Sequence, residues 1–226
     1  MKKFLTKIWC FSCLLLALTA TTEAQQITVD KMMATVSDGV GTKLITYSDL
    51  LWQLALEPDA SLETPSKDDL NQVLERLTQQ RLIALEAERL PAAAPTDDAV
   101  SQEIRRLVAA FPSAANFEAR LRRVGFESTD DPNFRQIIEQ RLAINNYLDF
   151  RFRSFVVVTP QDEEQFYNDT FVTEFRRANP GVVVPSLDQT RERVNKELTE
   201  RRIESDIEKF LEEAKVRAII TVLNPI

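Results

Sequence analysis

Three clusters of carboxylates, Asp97-Asp98, Asp130-Asp131 and Asp162-Glu163-Glu164, are the side chains with the spacing for acid–base chemistry. Paired carboxylates can share a proton and divide the roles of acid and base. Adjacent residues on a helix point about 100° apart, however, so these pairs do not converge. Each cluster also opens an expected helix, where negative charge complements the helix dipole. Solvated helix ends therefore account for all three. Arg120, Arg122 and Arg123 lie late in their expected helix, where basic side chains are favoured for the same reason. The chain of 226 residues has no histidine. That removes the commonest general acid–base and the commonest metal ligand. Its two cysteines are Cys10 and Cys13, both near the N-terminus. Ser-His-Asp and Cys-His catalysis are excluded, and zinc would have only carboxylates to bind. Four glycines, at 39, 41, 125 and 181, cannot assemble a phosphate-cradling loop. No catalytic residue, cofactor or metal is expected.

The N-terminus has the pattern of a secretory signal. Lys2, Lys3 and Lys7 precede an apolar run over residues 8–18, and Thr22-Glu23-Ala24 sets small side chains before Gln25. The apolar run is shorter than the ~20 residues that span a bilayer. Cleavage is therefore expected rather than anchoring, leaving residues 25–226 as one domain with no stable membrane insertion. No cysteine follows the cleavage site, which argues against a lipoprotein. Removing three lysines and one glutamate from 28 basic and 35 acidic residues leaves 25 and 34, a formal net charge of −9. An acidic chain without a basic cluster is a poor partner for nucleic acid or an anionic membrane surface.

Prolines and capping residues divide the rest. Strands over 29–37 and 43–47 flank Asp38-Gly39-Val40-Gly41, where glycine is expected to supply positive φ for the reversal. Met32 and Met33, adjacent on a strand, should face opposite sides. Thr46-x-x-Asp49 has capping-box spacing for a short helix over 48–57. Ser66 caps a long helix that Pro91 ends, with Leu70, Val73, Leu74, Leu77, Leu82, Leu85 and Leu90 on its buried side. Helices follow over 97–110 after Thr96, over 114–124 before Gly125, and from Ser128 or Thr129 to about Phe152. Residues 156–158 are an extended bridge. Thr159-Pro160 opens a helix carrying Phe166, Tyr167, Phe171 and Phe175, which Asn179-Pro180-Gly181 breaks. Ser186-x-x-Gln189 caps the longest helix, over 187–215, and residues 216–223 read as a strand. The expected fold is mainly α. A small sheet forms where the last strand joins the N-terminal hairpin, because such short strands are unstable alone.

These residues resemble the N-terminal domain of the SurA-type periplasmic chaperones. The likeness lies in Val29-Asp30-Lys31, Asp38-Gly39 and Ile45-Thr46-Tyr47-Ser48-Asp49-Leu50. It continues through LTQQRLIALEAE at 77–88, Pro95-Thr96-Asp97, the F-x-x-x-L-x-x-x-G of 117–125, VVVTPQDEEQFY at 156–167, and the closing helix with Ala218-Ile219-Ile220. It covers nearly all of residues 25–226 and departs from the family in two places. Val40-Gly41-Thr42-Lys43 lengthens the hairpin turn. Where the full-length family inserts parvulin-type prolyl isomerase domains, this chain has only a short connection over 168–187.

The resemblance implies an ATP-independent holdase in the periplasm, without isomerase activity, whose partners are unfolded polypeptides such as outer-membrane proteins. Holding such clients needs a broad apolar surface rather than a pocket. Of the eleven phenylalanines in 25–226, most are expected in the core. Phe166, Tyr167, Phe171 and Phe175, beside the missing insertion, are the candidate client contacts. The sheet edges are a further possible contact, by strand addition. A scaffold subunit with one dedicated partner, and a degenerate isomerase, are the competing readings.

Overall fold

A computed structural model describes residues 30–90 and 94–226. The expected signal segment, its cleavage site and Val29 lie outside the described residues. Strands β1 (Met32–Ser37) and β2 (Thr42–Thr46) form the hairpin. Helices α1 (Tyr47–Ala55), α2 (Lys67–Ala87), α3 (Asp97–Ala109), α4 (Ala114–Arg123) and α5 (Pro132–Arg151) follow. A 3₁₀ turn (Arg153–Phe155) leads to α6 (Pro160–Phe166), a π-helical turn (Tyr167–Phe171) and α7 (Val172–Ala178). The long α8 (Leu187–Arg217) returns to β3 (Ile219–Val222). The chain is mainly α with one small antiparallel sheet, as expected. Strand order is β2-β1-β3, so the last strand pairs with the first. Among the described residues no helix is long and apolar enough to cross a membrane.

Met33 is an extra residue in β1, because Met32 pairs with Thr46 and Ala34 with Ile45. This bulge turns Met33 onto the same buried face as Ala34 and Val36, and leaves Met32 exposed. The hairpin turn needs positive φ at Gly39 alone, where φ is +84°. At Gly41 the constraint is space: a Cβ there would lie 3.0 Å from Leu85 Cδ2, which would have to give way. Asp38 Oδ1 accepts the Gly41 and Val40 N–H groups at 2.8 and 3.0 Å. Those bonds, with the Arg89 guanidinium, lower its pKa to about 2.

Capping follows the sequence at most helix starts. Thr46, Ser66 and Thr159 each close a capping box with an aspartate three residues on. Helix α5 starts later than expected. Asp131, not Ser128 or Thr129, is its N-cap, because Pro132 lacks an N–H and fits the first helical position. Leu90 lies past the end of α2 and is exposed rather than buried.

Three hydrophobic clusters build the body. The sheet face packs on α1, α2 and Ala214 of α8. Helices α3, α4 and α5 close around Phe117, Leu121, Phe134 and Ile138, all within 1% of full burial. Ile83, Ile144, Tyr147, Phe210 and Leu211 join α2, α5 and α8. Arg120 ties the first cluster to the second. Helix α1 has no basic residue in its last turn. From α4, Arg120 Nε donates to Ala55 O at 3.1 Å, and Nη2 to Leu54 O, Glu57 O and Ala60 O at 2.8–2.9 Å. It therefore binds carbonyls at the end of α1 and in the loop that follows, which corrects its reading as a solvated end. Burial pushes its pKa down. Substituting Arg120→Met keeps the stem and removes all four bonds, while Leu54 O and Glu57 O retain backbone N–H partners. Stability should fall by about 2–3 kcal/mol, read as a lower urea midpoint at unchanged slope. Arg120→Lys should recover little, since one ammonium cannot reproduce the fork. A wild-type midpoint for Arg120→Met would remove this tie from the fold.

Candidate polypeptide-binding surface

Residues of α2 and α5 line a groove. It consists of two adjoining cavities, of about 410 and 640 Å³, that share Arg81, Gln136, Gln140 and Ile144. One end lies under Trp52 and Phe126, and the other under Leu44 and Leu90. The Trp52 indole is fixed there, donating to Val124 O at 3.0 Å with its ring 5.3 Å from Phe126. Arg81 stands where the cavities meet. Its Nε donates to Leu44 O at 3.3 Å and its Nη2 lies 3.4 Å from Asp49 Oδ2. The floor near α1 includes Arg141, whose Nη1 is buried with no hydrogen-bond partner among the described residues. Burial lowers its pKa, against the pull of Glu103.

Helical spacing sets the exposed end of α5 in line with the groove, beyond Tyr147, whose ring is buried in the third cluster. Gln136, Gln140, Ala143, Tyr147 and Phe150 succeed one another at steps of four, three, four and three, so they form one stripe. The stripe starts between glutamine amides, which both donate and accept, and ends at an exposed ring. Phe150 is 63% exposed and Phe155 71% exposed, and their rings meet edge-on at 6.4 Å. Val157, 72% exposed, lies beside Phe155 on the wall of a further shallow cavity. Two adjoining exposed phenylalanines form an apolar patch rather than scattered single residues.

The four aromatic residues expected to contact clients are placed elsewhere. Phe166 and Phe171 are buried against Val194 of α8, with Tyr167 and Phe175 half-buried beside them. As an exposed surface, the set is corrected at Phe166 and Phe171. The reason is local geometry. The Val172 N–H bonds Tyr167 O, an i→i+5 link that widens one turn and brings Phe166 and Phe171, five apart, onto one face. Tyr167, Phe171 and Phe175 then stack at 5.6 and 5.9 Å, and the Tyr167 hydroxyl donates to Pro185 O at 2.7 Å. Arg201 lies over Phe166, and Arg193 over Phe171.

This arm is also clamped to α8 by charge. Glu163 accepts from Arg191 Nη1 and Asn195 Nδ2, both at 2.7 Å, and only 7% of it is exposed. Asp162 pairs with Arg202 at 2.7 Å, and Arg202 also donates to Val157 O. Arg153 makes a bidentate pair with Glu200. Asp162 and Glu163 are therefore interhelical ties, not the plain solvated helix start read from the sequence. The partners hold all three carboxylates below their ordinary range: Asn195 then Arg191 for Glu163, Arg202 then Thr159 for Asp162, and Arg153 for Glu200.

Carboxylates with depressed folded-state pKa values add stability that is complete above the ordinary carboxylate range and is lost as pH falls through the depressed values. Thermal stability should therefore decline on acidification below about pH 4.5, the ordinary glutamate value. In Glu163→Gln, Tm at pH 6 should drop and its pH dependence become shallower. Parallel Tm–pH curves for the two proteins would show that the Glu163 clamp does not set the dependence.

No protein-family model matches the chain, and no curated protein matches it significantly.

Proposed function

We propose that the chain is an ATP-independent holdase that keeps unfolded outer-membrane or secreted polypeptides soluble in the periplasm. The observation that supports it best is the face of α5, where amide-lined cavities and the exposed Phe150–Phe155 pair lie in line on either side of the buried Tyr147. The helical rise makes it roughly 21 Å long. An extended client of about six residues matches that length. Glutamine amides suit its backbone and polar side chains, and exposed rings suit its apolar ones. The resemblance to SurA-type chaperones points the same way, as do the signal pattern of residues 1–24 and the shortness of the 168–187 stretch, in which only residues 179–186 connect α7 to α8. The chain carries no histidine for acid–base work, and we assign it no isomerase activity.

The test is dilution of a urea-unfolded barrel protein into buffer, followed by light scattering. The wild-type protein should suppress aggregation near stoichiometric ratio. Phe150→Ser with Phe155→Ser should need several-fold more protein, with an unchanged far-ultraviolet spectrum, because exposed substitutions shift stability by only about 0.5 kcal/mol. Equal suppression by the variant would remove this patch from the site. A folded wild-type protein that suppresses nothing would rule out the holdase reading.

A further inference from the structure

The two edges of the sheet are finished differently. On β2, Arg81 bonds the outward carbonyl of Leu44, and Lys43 pairs with Glu88. Charged side chains on an edge discourage further strand pairing. On β3 nothing comparable occurs. Residues 219–223 carry no charge, no proline and no bulge. Ile219, Ile220, Val222 and Leu223 are 68%, 38%, 53% and 43% exposed. The register also fixes which backbone groups are open. The Leu223 N–H donates to Met33 O at 2.9 Å, and Thr35 faces Thr221. By alternation, Ile219, Thr221 and Leu223 bond β1, while Ile220 and Val222 turn their N–H and C=O groups to the free edge. Among the described residues no side chain bonds them.

From these features we infer that β3 pairs with β3 of a second copy, antiparallel across a two-fold axis through Thr221, giving a continuous six-stranded sheet. In this register Ile220 faces the partner's Val222, Val222 faces the partner's Ile220, and Thr221 faces the partner's Thr221. Both outward residues of each copy then complete their backbone bonds, and β-branched side chains meet on the face shared with Ala34 and Val36. The segment Ala218-Ile219-Ile220-Thr221-Val222-Leu223-Asn224 is uncharged. Two copies of a chain of net charge −7 therefore place no like charges opposite each other at the joint. An unrelated strand brings no such guarantee. The contact is small, in the weak class below ~1,200 Å². It should form and dissociate rapidly, so a covalent trap reads it best.

The trap is a single cysteine in the full chain carrying Cys10→Ser and Cys13→Ser. Thr221 would sit in a non-hydrogen-bonded pair with Cα atoms ~4.5 Å apart, within disulfide reach. Ile219, exposed on the same face, would lie roughly 14 Å from its symmetry mate. Under mild oxidation at tens of micromolar, Thr221→Cys should give disulfide-linked dimer at least about tenfold faster than Ile219→Cys, with both variants folded by circular dichroism. Equal rates would overturn the inference. So would a Thr221→Cys thiol that crosslinks selectively to a cysteine-bearing unfolded polypeptide while forming homodimer no faster than the control. That result would give the edge to a client strand instead.

Discussion

The pairing of β3 with β1 is the constraint on which the rest depends. β1 is the middle strand and carries fully buried Ala34 and Val36. A lone hairpin is at best marginally stable in water. The third strand comes from the far end of the chain, so the sheet closes only when α8 has crossed the molecule. At 31 residues, α8 is about 47 Å long. Along that length it supplies Val194 to the arm, Phe210 and Leu211 to α2 and α5, and Ala214 to the sheet. One helix thus enters three of the four clusters. Closing so long a loop costs entropy, but that cost grows only slowly with length, and the burial along α8 offsets it.

Much of this plan was legible because its signals are local. Thr46, Ser66 and Thr159 mark helix starts through side chains that bond the backbone three residues on. Gly125 closes α4 at φ +97° because it has no Cβ to resist. The closing strand was legible from β-branched residues and from the instability of short strands alone. What escaped depends on residues distant in sequence. Gly41 packs closely against Leu85, and Arg120 is placed by carbonyls some sixty residues earlier. Two starts were read too early: Asp131-Pro132, since an Asp before Pro competes well with Ser128 as a cap, and the closing strand, since Val216 and Arg217 continue α8 and β3 begins at Ile219.

The site divides along the same line. Periodicity groups Phe166, Tyr167, Phe171 and Phe175, and the structure does bring them together. Periodicity does not say whether a second element covers the face they share. Here α8 covers it, and the π-helical turn sets Phe166 and Phe171 inward, which no 3.6-residue period anticipates. Phe150 and Phe155 stay open because the chain leaves α5 through a 3₁₀ turn and an extended bridge, neither of which covers the end of the helix. Absence of cover is a tertiary property, so composition alone could not separate the open pair from the buried one.

On the holdase reading, this division has a consequence for release. The arm spends its aromatic surface on α8 and secures it with Glu163–Arg191 and Asp162–Arg202, so it behaves as a strut. The end of α5 keeps the Phe150 and Phe155 rings free, while Tyr147 is packed into the third cluster. A client on this face gains apolar contact and a few amide hydrogen bonds, and loses chain entropy. The two terms are of similar size. Binding is then weak per site and exchange is fast, because affinity differences of this kind fall mainly in the dissociation rate. Fast dissociation lets a client leave without nucleotide hydrolysis, and its own folding removes the extended strand that the face fits.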